Sequence, residues 1–256
     1  MRPPRSFRPA PDSPRLAILH RSDRTELWTE TVGQEPPVYG ERWTESDGRP
    51  YRSFEPARSK LSAAIVKEWS GPVPAPGEGW LYLGAASGTT ASHVADLVGP
   101  TGRVYAVERS LRPFSRLLTL AERWPNLLPI LGDARDPAAY GALVPPVQGV
   151  YADIAQADQV EIVLSNAAFY LEGNGGYVLL ALKTASMGRD ATAVQHVRRA
   201  EEELAQFLDL EPSVRLDPFY RGHYFLGGTV RPGRLGPVEP TASPPPRERS
   251  RERRRR

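Results

Sequence analysis

Between residues 80 and 230, short apolar runs alternate with stretches whose apolar residues recur every three or four positions. This pattern predicts strands and helices in turn. Strands are expected over 80–83, 103–107, 127–131, 149–152 and 177–182, with helices over 90–98, 113–124, 137–143 and 159–171. A longer helix is expected over 192–208, with Val194, Val197, Leu204 and Leu208 on one stripe. Two closing strands follow, over 213–216 and 223–230. Strands alternating with helices imply a mostly parallel sheet with right-handed crossovers, and two closing strands in hairpin order imply an antiparallel edge. The expectation is therefore an α/β fold with a mostly parallel seven-stranded sheet. Upstream, Leu16-Ala17-Ile18-Leu19, Glu26-Leu27-Trp28-Thr29-Glu30-Thr31-Val32 and Val38-Tyr39-Gly40-Glu41-Arg42-Trp43 are short runs broken by turn residues, including Ser46-Asp47-Gly48. They read as a small antiparallel sheet with Trp28, Trp43 and Tyr39 in its core. A helix over 57–69 and a Pro/Gly linker over 71–79 lead into the larger domain. The expected organisation is disorder over 1–14, a small β domain over 15–56, the α/β domain over 57–232 and a disordered Pro/Arg-rich tail over 233–256.

Composition narrows the chemistry. The chain has 256 residues, 40% of them hydrophobic, and no cysteine. Disulfides, thiolate metal sites and cysteine nucleophiles are thereby excluded. No apolar run reaches the roughly 20 residues of a membrane helix, and Met1-Arg2-Pro3-Pro4-Arg5 precedes no apolar leader segment. A cytoplasmic protein without membrane association is expected, and no metal site. The formal charge of +3 is concentrated at one end, where residues 247–256 hold seven Arg and two Glu. The rest of the chain is slightly acidic and lacks the broad positive field of a stand-alone nucleic-acid binder. Lysine is rare, at Lys60, Lys67 and Lys183 only.

Open α/β sheets bind ligands beyond the carboxyl ends of their strands, so residues just past each strand form one rim. The first strand leads into Gly84-Ala85-Ala86-Ser87-Gly88-Thr89-Thr90, a loop of small residues opening a helix. Such a loop lets a ligand approach the backbone and offers free N–H groups to a carboxylate. The second strand ends at Glu108, an acid that can accept from both hydroxyls of a ribose. Asp133-Ala134, Asp153-Ile154-Ala155-Gln156 and Lys183 follow the next three. Singly, each is equally well a solvated strand end; together they suit a nucleoside beside a charged reaction centre. The loop departs from G-x-G-x-x-G, with Ala86 at the middle glycine, where a pyrophosphate requires close approach. S-adenosylmethionine is therefore favoured over a nicotinamide dinucleotide, with a dehydrogenase as the weaker alternative.

The stretch from Tyr82 through Gly84-Ala85-Ala86-Ser87-Gly88-Thr89-Thr90 to Val94 resembles the first motif of fibrillarins and their archaeal fibrillarin-like counterparts. So do Val38-Tyr39-Gly40-Glu41, Arg58-Ser59-Lys60-Leu61, Val104-Tyr105-Ala106-Val107-Glu108, Asp133-Ala134-Arg135, Ala152-Asp153-Ile154-Ala155-Gln156 and Asn174-Gly175-Gly176, in the family's order. The resemblance implies a Rossmann-like class I S-adenosylmethionine methyltransferase fold and ribose 2′-O-methylation of rRNA and tRNA. It further implies work inside a box C/D ribonucleoprotein, where a guide RNA selects the target. A Nop-domain scaffold and, indirectly, a kink-turn-binding ribosomal protein of the L7Ae type are the implied protein partners. Cofactor contacts carried over by the resemblance are Thr89-Thr90, Glu108-Arg109, Asp133-Ala134 and Asp153 through Gln156. The family's catalytic set maps to Lys60, Asp153, Lys183 and His223. The chemistry of methyl transfer, which needs an acceptor beside a cation, singles out Asp153 and Lys183 as the expected reacting pair, with the proton's destination left open. Where the family usually has an aromatic residue after the acid, this chain has Arg109. A non-catalytic ribonucleoprotein subunit and a protein glutamine methyltransferase are the alternatives. Tyr220-Arg221-Gly222 reads as a turn, and Lys67, His20, His93 and His196 are given no functional role.

Overall fold

A computed structural model describes residues 8–10, 13–22, 24–171, 175–188 and 190–235. The disorder expected over 1–7 and 11–12, the tail from 236 onward, Asp23 and Asn174 lie outside the described residues. The N-terminal sheet comprises β1 (Arg8–Ala10), β2 (Ser13–His20), β3 (Thr25–Glu30), β4 (Trp43–Ser46) and β5 (Arg49–Ser53), ordered β1-β2-β3-β5-β4 and antiparallel throughout. The expected disorder over 1–14 is corrected here: Arg8–Ala10 pairs with β2, and β2 itself begins at Ser13, which is buried with its hydroxyl on the Pro74 carbonyl at 3.4 Å. Asp47 and Gly48 both take positive φ, 52° and 74°, and close the β4–β5 hairpin, as a two-residue primed turn requires. Val38 to Arg42 forms no strand. Its chain instead folds around the Glu41 carboxylate, which accepts from the N–H groups of Val38 and Tyr39 at 2.9 and 2.8 Å.

The larger sheet contains β6 (Gly79–Leu83), β7 (Arg103–Glu108), β8 (Leu127–Leu131), β9 (Gly149–Ala152), β10 (Tyr177–Lys183), β11 (Leu208–Leu210), β12 (Val214–Arg215) and β13 (His223–Val230). Its order is β11-β13-β10-β9-β6-β7-β8, with β12 also pairing β13. The strands from β6 to β10 are parallel, and β13 runs antiparallel to β10. The sheet has eight strands rather than the seven expected. The helix expected over 192–208 stops at Leu204, and Leu208–Leu210 pairs with the end of β13. Leu208, fully buried, satisfies a helical stripe and an edge strand equally well, so periodicity could not separate them. The helix expected over 137–143 is one 3₁₀ turn, Pro137–Tyr140.

Helices α1 (Lys60–Val66), α2 (Thr89–Val98), α3 (Leu111–Ala121), α4 (Gln159–Tyr170) and α5 (Ala193–Leu204) complete the fold. Alternate residues of β6 enter opposite core layers, Trp80 and Tyr82 on one face, Leu81 and Leu83 on the other. This is the pattern of a parallel strand covered on both sides. The first layer includes Leu16 and Leu27 of the N-terminal sheet, so that sheet and α2 share one core with β6. A dry polar cluster fastens the same junction. Arg52, fully buried, donates to Asp96 Oδ2 at 2.6 Å, Glu41 Oε1 at 3.1 Å and Ser92 Oγ at 2.9 Å. Asp96 also receives the hydroxyls of Thr29 and Thr31, the Val32 N–H and the Trp124 indole N–H. Beside it, His93 lies between the hydroxyls of Thr29 at 2.8 Å and Tyr39 at 2.9 Å. Burial, and then the Arg52 charge, push this imidazole well below its ordinary pKa, so it is neutral.

Candidate active site

The strand ends of the parallel sheet hold the predicted rim together through backbone contacts. Gly84 and Ala85 N–H groups donate to the Val107 carbonyl at 2.9 and 3.0 Å, and Asp153 N–H donates to the Leu83 carbonyl at 2.9 Å. The loop after β6 is thereby stitched to the ends of β7 and β9. Gly84 has φ +80°, and a Cβ there would run into the Asp153 carbonyl and stand 2.7 Å from Ile154 Cγ2. Only glycine lets the two segments approach this closely. Glu108 secures the loop from the other side: one carboxylate oxygen accepts Ala86 N–H at 2.9 Å, the other Ser110 N–H at 2.6 Å.

These contacts frame a cleft of about 280 Å³ lined by Gly84, Ala86, Val107, Glu108, Arg109, Ser110, Gly132, Asp133, Ala134, Asp153, Ile154, Ala155, Gln156 and Ile162. Ten of the predicted cofactor residues are among them. At its mouth Arg109 Nη1 stands 3.6 Å from Asp133 Oδ2, both side chains about half exposed. Gln156 is held by Arg135, which donates to its Oε1 at 2.7 Å and to Asp158 at 2.8 Å. Four predicted residues do not line the cleft. Ala85 is buried. Gly88 faces Leu117 and Leu120, and Thr89 opens α2. Thr90 donates its hydroxyl to Ser59 Oγ at 3.1 Å. Ser59 in turn is the N-cap of α1, whose first residue is Lys60. Thr90 thus fixes the start of α1 against the start of α2 and orients Lys60, a role that spacing in the sequence gave no sign of.

Beyond the Asp153 end of the cleft lies a group of basic residues, Lys60, Lys183 and His223. Lys60 Nζ donates to both Asp153 oxygens, at 2.7 and 2.9 Å, with side chains 18% and 20% exposed. The ammonium hydrogen-bonded to Asp153 is that of Lys60. Lys183, last residue of β10, sits opposite His223 in the β10–β13 ladder. Its backbone is gripped by the Gln159 amide, which accepts from Lys183 N–H at 2.9 Å and donates to its carbonyl at 3.1 Å. No carboxylate pairs with the Lys183 ammonium among the described residues. His223 Nδ1 lies 3.0 Å from the Arg221 carbonyl. A carbonyl only accepts, so Nδ1 carries the proton and Nε2 keeps a lone pair. Burial lowers the pKa of this histidine, Lys60 and Lys183 add to the effect, and the Arg221 carbonyl and Asp153 oppose it. His223 is thus neutral at neutral pH. Asp153 joins the cleft to the basic group, lining the first and binding Lys60 of the second. Among the described residues no group of three or more His, Asp or Glu could hold a metal ion, and no helix is long and apolar enough to cross a membrane.

Comparison with known proteins agrees with this geometry. The Fibrillarin family model matches residues 14–232. The fibrillarin-like rRNA/tRNA 2′-O-methyltransferase of Aeropyrum pernix is 43% identical over 198 residues, 76% of this chain and 83% of that protein. The crystal structure of Aeropyrum pernix fibrillarin in complex with natively bound S-adenosyl-L-methionine superposes with a TM-score of 0.75 at 36% identity, covering 87% of this chain and 97% of that one. The fibrillarin chain of a fibrillarin/Nop5p complex does so with a TM-score of 0.73 at 37% identity, covering 84% and 97%. The sheet order, the antiparallel edge and these likenesses are those of the Rossmann-like class I methyltransferase fold. With the family's model spanning all but the two ends, and relatives above 40% identity aligned over most of both chains, this protein belongs to the fibrillarin family.

Proposed function

We propose that the chain transfers the methyl group of S-adenosylmethionine to ribose 2′-hydroxyls of rRNA and tRNA, as the catalytic subunit of a box C/D guide ribonucleoprotein. One observation carries this reading: Asp153 closes the end of the cleft while its carboxylate grips Lys60, with Lys183 and His223 on the neighbouring strands. The cleft suits the cofactor. Each Glu108 oxygen takes one backbone N–H and keeps a second lone pair, which matches the two hydroxyls of a ribose. Gly84 and Ala86 leave room for close approach at the loop, and Asp133-Ala134 and Asp153 through Gln156 line the remaining wall.

When bound, S-adenosylmethionine supplies a methyl carbon on a sulfonium that leaves as a neutral thioether and needs no proton. The protein's task is to align the 2′-oxygen and to manage its proton. Asp153 Oδ accepts the hydroxyl hydrogen and takes the proton as the carbon–oxygen bond forms, while Lys60 fixes the carboxylate's orientation. The Lys183 ammonium, which no carboxylate pairs among the described residues, stabilises charge developing on the 2′-oxygen. His223 Nε2 accepts from a neighbouring ribose hydroxyl.

The slightly acidic body gives little unaided grip on phosphates. Target choice therefore rests on guide RNA, with a Nop-domain scaffold as direct partner and an L7Ae-type protein bound to the guide. The fibrillarin/Nop5p complex among the similar structures supports the scaffold. The cysteine-free composition suits the cytoplasm as the place of work. The test is reconstitution with the scaffold, an L7Ae-type protein and a matched guide, scoring methylation of one ribose. Methyl transfer at the guided position is expected. Calorimetric binding of S-adenosylmethionine without transfer would leave a non-catalytic subunit, and transfer to a glutamine-containing peptide alone would make it a protein methyltransferase.

A further inference from the structure

Tyr220 belongs to none of the matched motifs, yet it faces the reaction centre. It lies in the turn between β12 and β13, where its N–H donates to the Leu216 carbonyl at 3.1 Å and its carbonyl accepts from His223 N–H at 3.3 Å. The side chain is partly buried against the core layer that contains Tyr82, Tyr151 and Phe225. From this fixed seat the ring addresses two of the basic residues. Lys60 Nζ stands over it at 5.1 Å from the centroid, within the roughly 6 Å reach of a cation–π attraction. The His223 ring lies 5.8 Å away, tilted by 60°.

A lysine ammonium on four flexible bonds does not hold one position without several restraints. Lys60 is retained from two directions, by the Asp153 carboxylate and by the aromatic face. The hydroxyl of Tyr220 contributes no acid–base chemistry. Burial, and then the nearby Asp153 charge, push it up to about 12, with Arg58 opposing. It stays protonated at neutral pH, so the useful part of the residue is its π face.

We propose that Tyr220 is a positioning residue whose ring holds the Lys60 ammonium on Asp153, so that the carboxylate meets the ribose hydroxyl already oriented. The effect on turnover rests on the methyl-transfer reading above, but the effect on Lys60 does not. The variants are Y220F, which keeps the face, and Y220L and Y220M, which fill similar space without one; whichever of the last two melts like the wild type is used. In the reconstituted complex Y220F is expected within about twofold of wild-type kcat. The non-aromatic variant is expected to lose about tenfold in kcat, with KM for RNA and Kd for S-adenosylmethionine unchanged. On the chain alone, reductive methylation followed by mass spectrometry compares Lys60 with the exposed Lys67 as internal reference. Labelling of Lys60 relative to Lys67 is expected to rise severalfold in the non-aromatic variant and to stay at the wild-type ratio in Y220F. Equal Lys60 labelling in wild type and the non-aromatic variant overturns the proposal. So does a Y220F that behaves like the non-aromatic variant, since the hydroxyl would then be the working group. A wild-type complex that methylates no RNA counts against the methyl-transfer reading only, and the labelling ratio still decides the role of Tyr220.

Discussion

Two carboxylate–cation pairs in this molecule use the same chemistry to opposite ends. Asp96 meets Arg52 at 2.6 Å with neither side chain exposed, and Asp153 meets Lys60 at 2.7 and 2.9 Å with both about one-fifth exposed. The difference lies in what else each acid holds. Asp96 receives five donors, from Arg52, Thr29, Thr31, Val32 and Trp124, which saturate its lone pairs. Asp153 receives side-chain hydrogen bonds from Lys60 alone among the described residues. A saturated, dry carboxylate can only be structural, whereas one with free lone pairs at the end of a cleft can take a substrate hydrogen. Saturation, rather than the identity of the ion pair, separates the residue that ties the N-terminal sheet to α2 from the residue proposed to react.

The largest expected effect comes from Asp153→Asn. It keeps shape but removes the charge proposed to accept the hydroxyl proton, and general-base catalysis of this kind contributes about a thousandfold in rate. Single-turnover methyl transfer should fall by about that factor, while the thermal midpoint shifts by no more than a few degrees. Full activity in this variant would break the assignment. Asp96→Ala should do the reverse. It leaves the Arg52 guanidinium buried beside Glu41 with its main partner gone, which costs about 3–5 kcal/mol of stability. Urea denaturation should show the loss in the midpoint, and transfer per folded molecule should stay close to wild type.

A smaller effect is expected from pH. His93 is neutral and buried in the folded state, with its pKa well below 6.5, whereas the unfolded chain titrates normally. Below pH 6.5 the unfolded state binds a proton that the folded state does not, so stability falls as pH falls, by up to about 1.4 kcal/mol per pH unit. Above pH 6.5 the contribution is complete and flat. His223 is shifted in the same direction by burial and two lysines, and adds to the slope in the same window. Unfolding free energies at pH 7, 6 and 5 for wild type and His93→Asn should show a shallower slope in the variant. Equal slopes would place the titration elsewhere.

The rim was legible because one topological rule converts sequence position into spatial position. Gly84, Glu108, Asp133, Asp153 and Lys183 each end or follow a strand, and parallel strands end on one side. The saturated cluster obeys no such rule. Arg52, Glu41, Thr29 and Asp96 come from an antiparallel sheet, a loop and a helix, and nothing in their spacing brings them together. One signal was available: Asp96 interrupts Val94-Ala95-Asp96-Leu97-Val98, an otherwise apolar run, where a surface helix would carry more polar neighbours. The Lys60–Asp153 bond joins residues 93 positions apart, so the sequence could name both partners without showing which lysine takes the carboxylate. The edge of the sheet was misread at Leu208 because an apolar residue at the end of an amphipathic helix also suits a short strand.

The smallest expected effect tests the rim where it is most exposed. Arg109 and Asp133 face each other at 3.6 Å across the cleft mouth, both about half in water, and such pairs contribute less than about 1 kcal/mol. If Arg109 acts through this pair, Arg109→Ala should weaken S-adenosylmethionine binding by less than about fivefold, and raising salt should narrow the difference. If the guanidinium instead stacks on the adenine, an aromatic replacement should restore binding, and the deficit of the alanine variant should persist in high salt. Calorimetric titration of wild type, Arg109→Ala and Arg109→Phe at low and high ionic strength distinguishes the two. A salt-independent loss rescued by phenylalanine would show that the cleft mouth works by contact area, and that the acid–base pair there, unlike that at Asp153, is incidental.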